Sequence, residues 1–139
     1  MNRVEQIKSQ LQKFLLDDEH RAYCIAIFDC LLNADIQELR VMTYGSIASR
    51  LCVPWQSPKL LLAVNFFASS RDFHFLDQKY FVVCDENDYE VEIDIEMVRE
   101  ALSSGLLELP NGEVTDQVDA HLVPYFTASK CLKIIRDSR

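Results

Sequence analysis

The sequence predicts an α+β fold, mostly helical. Three helices and an antiparallel hairpin make the core, with an extra helix before them and further helices after. Three observations predict it. Apolar residues recur at 3-4-3 spacing through residues 2–16 and fill 22–32 and 58–69. Residues 79–84 and 89–95 read as strands, the second alternating apolar with acidic residues. Caps and stops separate these segments: Asp17, Thr43, Val53-Pro54 and Ser57-Pro58. With 139 residues and no long linker, the chain reads as one domain, comprising an N-terminal helix (1–16), a core (18–95) and a C-terminal part (96–139).

Each element has its local reason. Val4, Ile7, Leu11 and Phe14 form one stripe on the first helix, able to seat on the domain or on a second copy. Asp17-Asp18-Glu19 complements the dipole of a second helix, apolar almost all round and hence buried. Residues 33–40 connect, and Val41-Met42 reads as a short strand. Thr43 caps a helix from Tyr44 to Cys52, which Val53-Pro54 stops. Ser57 and Pro58 start the third core helix, 58–69. Asp85-Glu86-Asn87-Asp88 is turn chemistry between the strands. Val91, Ile93 and Ile95 take the dry face of the second strand; Glu90, Glu92, Asp94 and Glu96 take the wet one. Asp94 or Ile95 opens a helix with Met97, Val98, Ala101 and Leu102 inward, closed by Gly105. Residues 106–115 read as a small hairpin turning at Asn111-Gly112. A helix is expected from Thr115 or Asp116 to Phe126, interrupted at Pro124. A last helix places Lys130, Lys133 and Arg136 on one side, with Leu132 and Ile135 on the other.

The charge is uneven. Fourteen bases face twenty-two acids, a net −8. Residues 85–100 hold eight acids and one base, or −7. So dense a negative field repels phosphate and attracts basic partners, although a solvated strand face is the plainer reading. Five cysteines, odd in number and without a C-x-x-C pair, read as reduced, buried thiols of a cytoplasmic protein. No apolar run approaches the ~20 residues that span a bilayer, so no membrane association is expected.

Sequence motifs for catalysis are missing. G-x-S-x-G, P-loop and G-x-G-x-x-G do not occur. His20 and Cys24 stand one helical turn apart, but no second pair has ligand spacing. Residues 85–96 are bounded by acids like an EF-hand loop, yet Glu90 occupies the position that needs glycine. No metal, no cofactor and no enzymatic activity are expected. Trp55, in the turn after Pro54, reads as a lid on the core, with an exposed partner anchor as its rival.

The order helix, short strand, helix, turn, helix, hairpin over Asp18–Ile95 resembles a winged helix. Within it, MTYGSIASRLCVP is similar to the helix-turn-helix of O6-alkylguanine alkyltransferase-like proteins: Thr43, Tyr44, Gly45, Ile47 and Ala48 fit, while Ser46 replaces an acid. The Pro-Cys-His-Arg nucleophile motif of that family is missing here, so the resemblance implies fold and no alkyl transfer. It implies that 58–69 is a recognition helix and 85–88 a wing. As a reader of nucleic acid that helix offers only Lys59 and Asn65, with Arg71 just beyond, and the wing is acidic. Lys130, Lys133 and Arg136 make the best remaining phosphate surface. The expected function is therefore a non-enzymatic module that binds a protein partner or itself, through Trp55, Phe66 and Phe67 or the acids Glu90, Glu92 and Asp94. The alternatives are a DNA-binding regulator or accessory using the C-terminal cations, and a decoy whose acids mimic nucleic-acid phosphates.

Overall fold

The computed structural model describes residues 2–84 and 89–138, with the backbone alone at Cys84, Tyr89 and Glu90. The fold is α+β and mostly helical. Asn2 caps α1 (Arg3–Phe14) and Asp17 caps α2 (Asp18–Asn33), each side chain accepting from a backbone N–H three residues on. A short 3-10 turn, Glu38–Arg40, follows. Helix α3 (Tyr44–Leu51) opens with a capping box between Thr43 and Ser46. It ends at Cys52 in the left-handed region, φ 56°. Ser57 and Pro58 start α4 (Pro58–Ser69) as the sequence requires.

Strand β1 (Leu76–Cys84) pairs antiparallel with β2 (Tyr89–Ile93), Tyr80 opposite Ile93 and Val82 opposite Val91. The turn expected at 85–88 lies outside the described residues. Asp94 caps α5 (Ile95–Ser104), and Gly105 closes it with φ 74°. The small hairpin forms from β3 (Leu107–Glu108) and β4 (Val114–Thr115).

The expected helix from 115 to 126 is corrected. Only Val118–His121 is helical (α6); Leu122–Ala128 is strand β5. Pro124 breaks a helix by removing a donor, and Val123, Tyr125, Phe126 and Thr127 prefer a pleated surface. The sheet order is β2-β1-β5, so β5 is an edge, where a proline is tolerated. The hairpin is therefore part of a three-stranded sheet. Ser129 caps the last helix, α7 (Lys130–Asp137).

Packing divides the chain into two compact units, Met1–Asp77 with Phe126–Arg139 and Gln78–Tyr125. Strand residues 80–93 share a core with α5, and α7 packs with the helices of the first unit. In the first unit α2 is central. Phe28 and Phe67 each stack on Phe75, at 5.1 and 5.3 Å between ring centroids. Leu11, Ile27, Leu60, Phe126, Leu132 and Ile135 close round them. Met42 bridges Phe126 through both backbone bonds, an isolated bridge at one residue where the sequence predicts a short strand over 41–42. The second unit buries a smaller core of Val82, Val98, Ala101, Leu107, Leu109, Val118 and Leu122. Met97 and Leu102, expected inward on α5, are exposed, because only the Val98–Ala101 line meets that core. Ile95, expected on the dry strand face, begins the helix and is exposed as well. No helix among the described residues is long and apolar enough to cross a membrane.

Candidate interaction face

Helix α4 has two sides of different character. Leu60, Ala63, Val64 and Phe67 recur at helical spacing and are fully buried. Phe67, expected at a partner surface, is therefore core: it stacks on Phe75 and meets Phe66 edge-on. The other side carries Leu62, 57% exposed, and one turn on the half-buried Phe66.

The end of α1 extends this second side. Val4, Ile7 and Leu11 follow the stripe onto the core, but Phe14 lies at the last turn and remains 59% exposed. Its ring lies 6.1 Å from Phe66 and 5.8 Å from Phe73. His20 on α2 meets Phe66 edge-on at 5.8 Å. Two residues past Phe14, Leu16 is 89% exposed. The link that presents it is fixed on both sides. Arg21 Nη1 donates to the Leu15 carbonyl at 3.0 Å. Asp17 accepts from the His20 N–H at 2.8 Å and from Lys59 Nζ at 3.3 Å. That N–H first, and Lys59 second, hold the Asp17 carboxyl below its usual range. Phe14 itself, with Gln10, Lys13, Asp72 and Phe73, lines an open hollow of about 600 Å³.

The remaining expected site residues fall elsewhere. Trp55 is 58% exposed and is no lid, which corrects the preferred reading and leaves its rival. Lys59 is held by Asp17 and lies 3.9 Å from Glu19. Asn65 accepts from the Tyr44 hydroxyl at 3.1 Å and donates to the Leu61 carbonyl at 2.8 Å. Arg71 is exposed just beyond α4. The C-terminal cations do not act together: Lys130 and Lys133 are exposed, whereas Arg136 is half-buried and donates to the Leu31 and Leu32 carbonyls at 2.6 and 3.0 Å. It satisfies the last turn of α2, where a cation is favoured by the dipole.

The acidic row is divided in the same way. Asp94 accepts from the Met97 N–H as the cap of α5. Glu92 lies 3.6 Å from Lys79 Nζ and accepts from the Tyr125 hydroxyl. Burial first, then Glu92, pushes the Tyr125 phenol up to about 12. The Glu90 side chain and the wing at 85–88 lie outside the described residues.

Cys24 Sγ lies 3.9 and 4.0 Å from the His20 ring nitrogens, but burial pushes its thiol up to about 12, so it is no nucleophile at neutral pH. Cys30 lies beside Arg50, whose guanidinium is held charged first by that thiol and then by Glu38. Among the described residues no three His, Cys, Asp or Glu side chains gather as metal ligands.

Leu16 and Leu62 escaped the sequence reading, whereas Phe14 belongs to the α1 stripe that it offered to the domain or to a second copy. Nothing in an apolar run says which Leu lacks a neighbour, though Phe14 at the end of its stripe was a usable signal. No family model, no curated protein and no solved structure matches this chain.

Proposed function

We propose that the protein is a non-enzymatic interaction module, winged-helix-like in its order of elements, that binds protein through the face formed by Phe14, Leu16, Leu62 and Phe66. One observation carries the reading: Phe14, Leu16 and Leu62 are exposed, and the Phe14 ring meets the half-buried Phe66 one turn beyond Leu62 on α4. Desolvating such side chains yields roughly 25 cal/mol per Å², and grouped apolar surface marks association sites. Trp55 is a further exposed aromatic of the kind that anchors interfaces. The order α2, Met42 bridge, α3, α4, β1, β2 supports the winged-helix resemblance. The free thiols of Cys24, Cys30, Cys52 and Cys131 suit a reducing cytoplasm.

The DNA-binding alternative has less behind it. A base reader needs free donors and acceptors on its recognition helix, and here Lys59 and Asn65 are engaged within the chain. Of the C-terminal cations, Arg136 is turned to α2. The decoy reading is weakened by Asp94 capping a helix and Glu92 holding Lys79 and Tyr125.

A photo-crosslinking amino acid at Leu62 tests the proposal, with the same label at the exposed Glu113 as control. The expected result is a discrete adduct from position 62, with the purified chain or in extract of the native cells, and none from 113. Absence of any adduct from 62 in both settings removes the proposal.

A further inference from the structure

Outside the Phe14 face, the cleft of about 110 Å³ lined by Cys30, Glu38 and Arg50 holds a single thiol already bonded to Arg50. The second unit offers more. Helix α5 turns only its Val98–Ala101 line into the core of that unit, and one of its flanks stays bare. Ile95 and Leu102 stand two turns apart on that flank, 47% and 59% exposed. The flank ends in an open hollow of about 410 Å³, shared by Leu102 and Gly105 of α5 with Asp116, Asp119 and the buried Val118. Gly105 leaves the hollow wide, since a Cβ there would meet nothing within 4 Å.

The charge at this hollow has one sign. Asp116 and Asp119 are exposed, and among the described residues neither belongs to an ion pair within the chain and no base lines the hollow. The carboxyl end of α5 lies there too, with no base in its last turn to offset the helix dipole. Charge on a larger scale agrees. Residues 1–77 with 126–139 contain twelve bases and ten acids, or +2, while residues 78–125 contain two bases and twelve acids, or −10. A second copy would bring the same acids to the contact, and phosphate would be repelled. Lysine and arginine suit both parts of the surface, because their stems cover apolar area while their heads reach a carboxylate.

We infer that this flank of α5 and the hollow at its end receive a basic amphipathic segment of another protein, its apolar side chains along Ile95 and Leu102 and its Lys or Arg at Asp116 and Asp119. The inference does not rest on the Phe14 face, which belongs to the first unit.

Fluorescence anisotropy with the full chain tests it. The probe is a labelled helix-forming peptide of leucine and lysine, with two counterparts, one carrying glutamate for lysine and one serine for leucine. The leucine–lysine peptide should bind the natural chain with a dissociation constant below about 100 μM, and neither counterpart should bind in that range. Asp116→Asn together with Asp119→Asn should weaken binding about fivefold. Glu108→Gln together with Glu113→Gln removes the same charge from the small hairpin and should change binding less than about twofold, because exposed charges away from the contact are screened. Leu102→Ser should weaken binding about fivefold through lost apolar contact. All five positions are exposed, and circular dichroism of each variant checks that the fold is kept. No binding of the leucine–lysine peptide, or equal losses in the two double variants, overturns the inference. So does binding that is indifferent to Leu102→Ser, or a serine counterpart that binds as tightly.

Discussion

Asn65, Arg136 and Asp94 belong to residue types that read bases, grip phosphates or imitate them, yet in this chain each serves the backbone or a neighbour. Asn65 joins Tyr44 to α4, Arg136 closes the carbonyl end of α2, and Asp94 starts α5. Chemical type alone therefore overstates the polar side of this molecule. Tyr125 shows how such a local bond becomes measurable. Its phenol is pushed from 10.0 up to about 12 by burial and by Glu92. The unfolded phenol ionises near its ordinary value, so the stability supplied by the neutral form is complete below that value and is lost as pH rises toward 12. Cys24 acts in the same direction from 9.0 upward. Urea midpoints measured from pH 8 into the alkaline range should fall, and Tyr125→Phe should flatten the fall above pH 10. An equally steep fall in that variant would show that Tyr125 is not responsible.

At the scale of elements, α4 shows most plainly what could be read in advance. Its caps, its bounds and its apolar excess are all in the text of Ser57–Ser69, but the text does not say which apolar side lacks a cover. Phe67 and Leu62 look alike until the neighbours are known: Phe75 and α2 cover the first, and nothing described covers the second. Truncation separates them. Phe67→Ala should destabilise the chain by about 3–5 kcal/mol through lost transfer energy and a cavity, whereas Leu62→Ala should change stability by less than about 0.5 kcal/mol. Chemical denaturation of both variants measures the contrast, and similar values would contradict the assignment of faces. The same reasoning explains β5. Turn chemistry at Asn111-Gly112 and the cap at Gly105 are local, and both were legible. Strand 122–128 depends on β1 and Met42, which are distant in sequence, so a local reading favoured helix up to Pro124. The acidic row failed as a row for a related reason: alternation placed Asp94 on the wet face, while its cap bond to Met97 already belongs to the next element.

For the whole molecule, the segregation of charge has its own consequence. Residues 78–125 hold twelve acids, and among the described residues their core cluster has seven buried apolar members, so self-repulsion is large relative to burial there. Raising salt from about 10 to about 500 mM shortens the screening length severalfold. Amide exchange in β1 and α5 should slow under that change, while α2 and α4 respond little. Equal responses in the two units would argue that the excess acids are too well solvated to matter. The division of the chain also bears on how it is made. The first unit takes Phe126, Leu132 and Ile135 from beyond the second, and the last carbonyls of α2 await Arg136. A ribosome therefore releases α2 and α4 first, then translates the intervening residues for a few seconds at about 5–20 residues per second. During that interval the phenylalanine stack is open on the side that β5 and α7 will occupy. Closure of the first core is timed by the emergence of α7, well after α4 has left the exit tunnel.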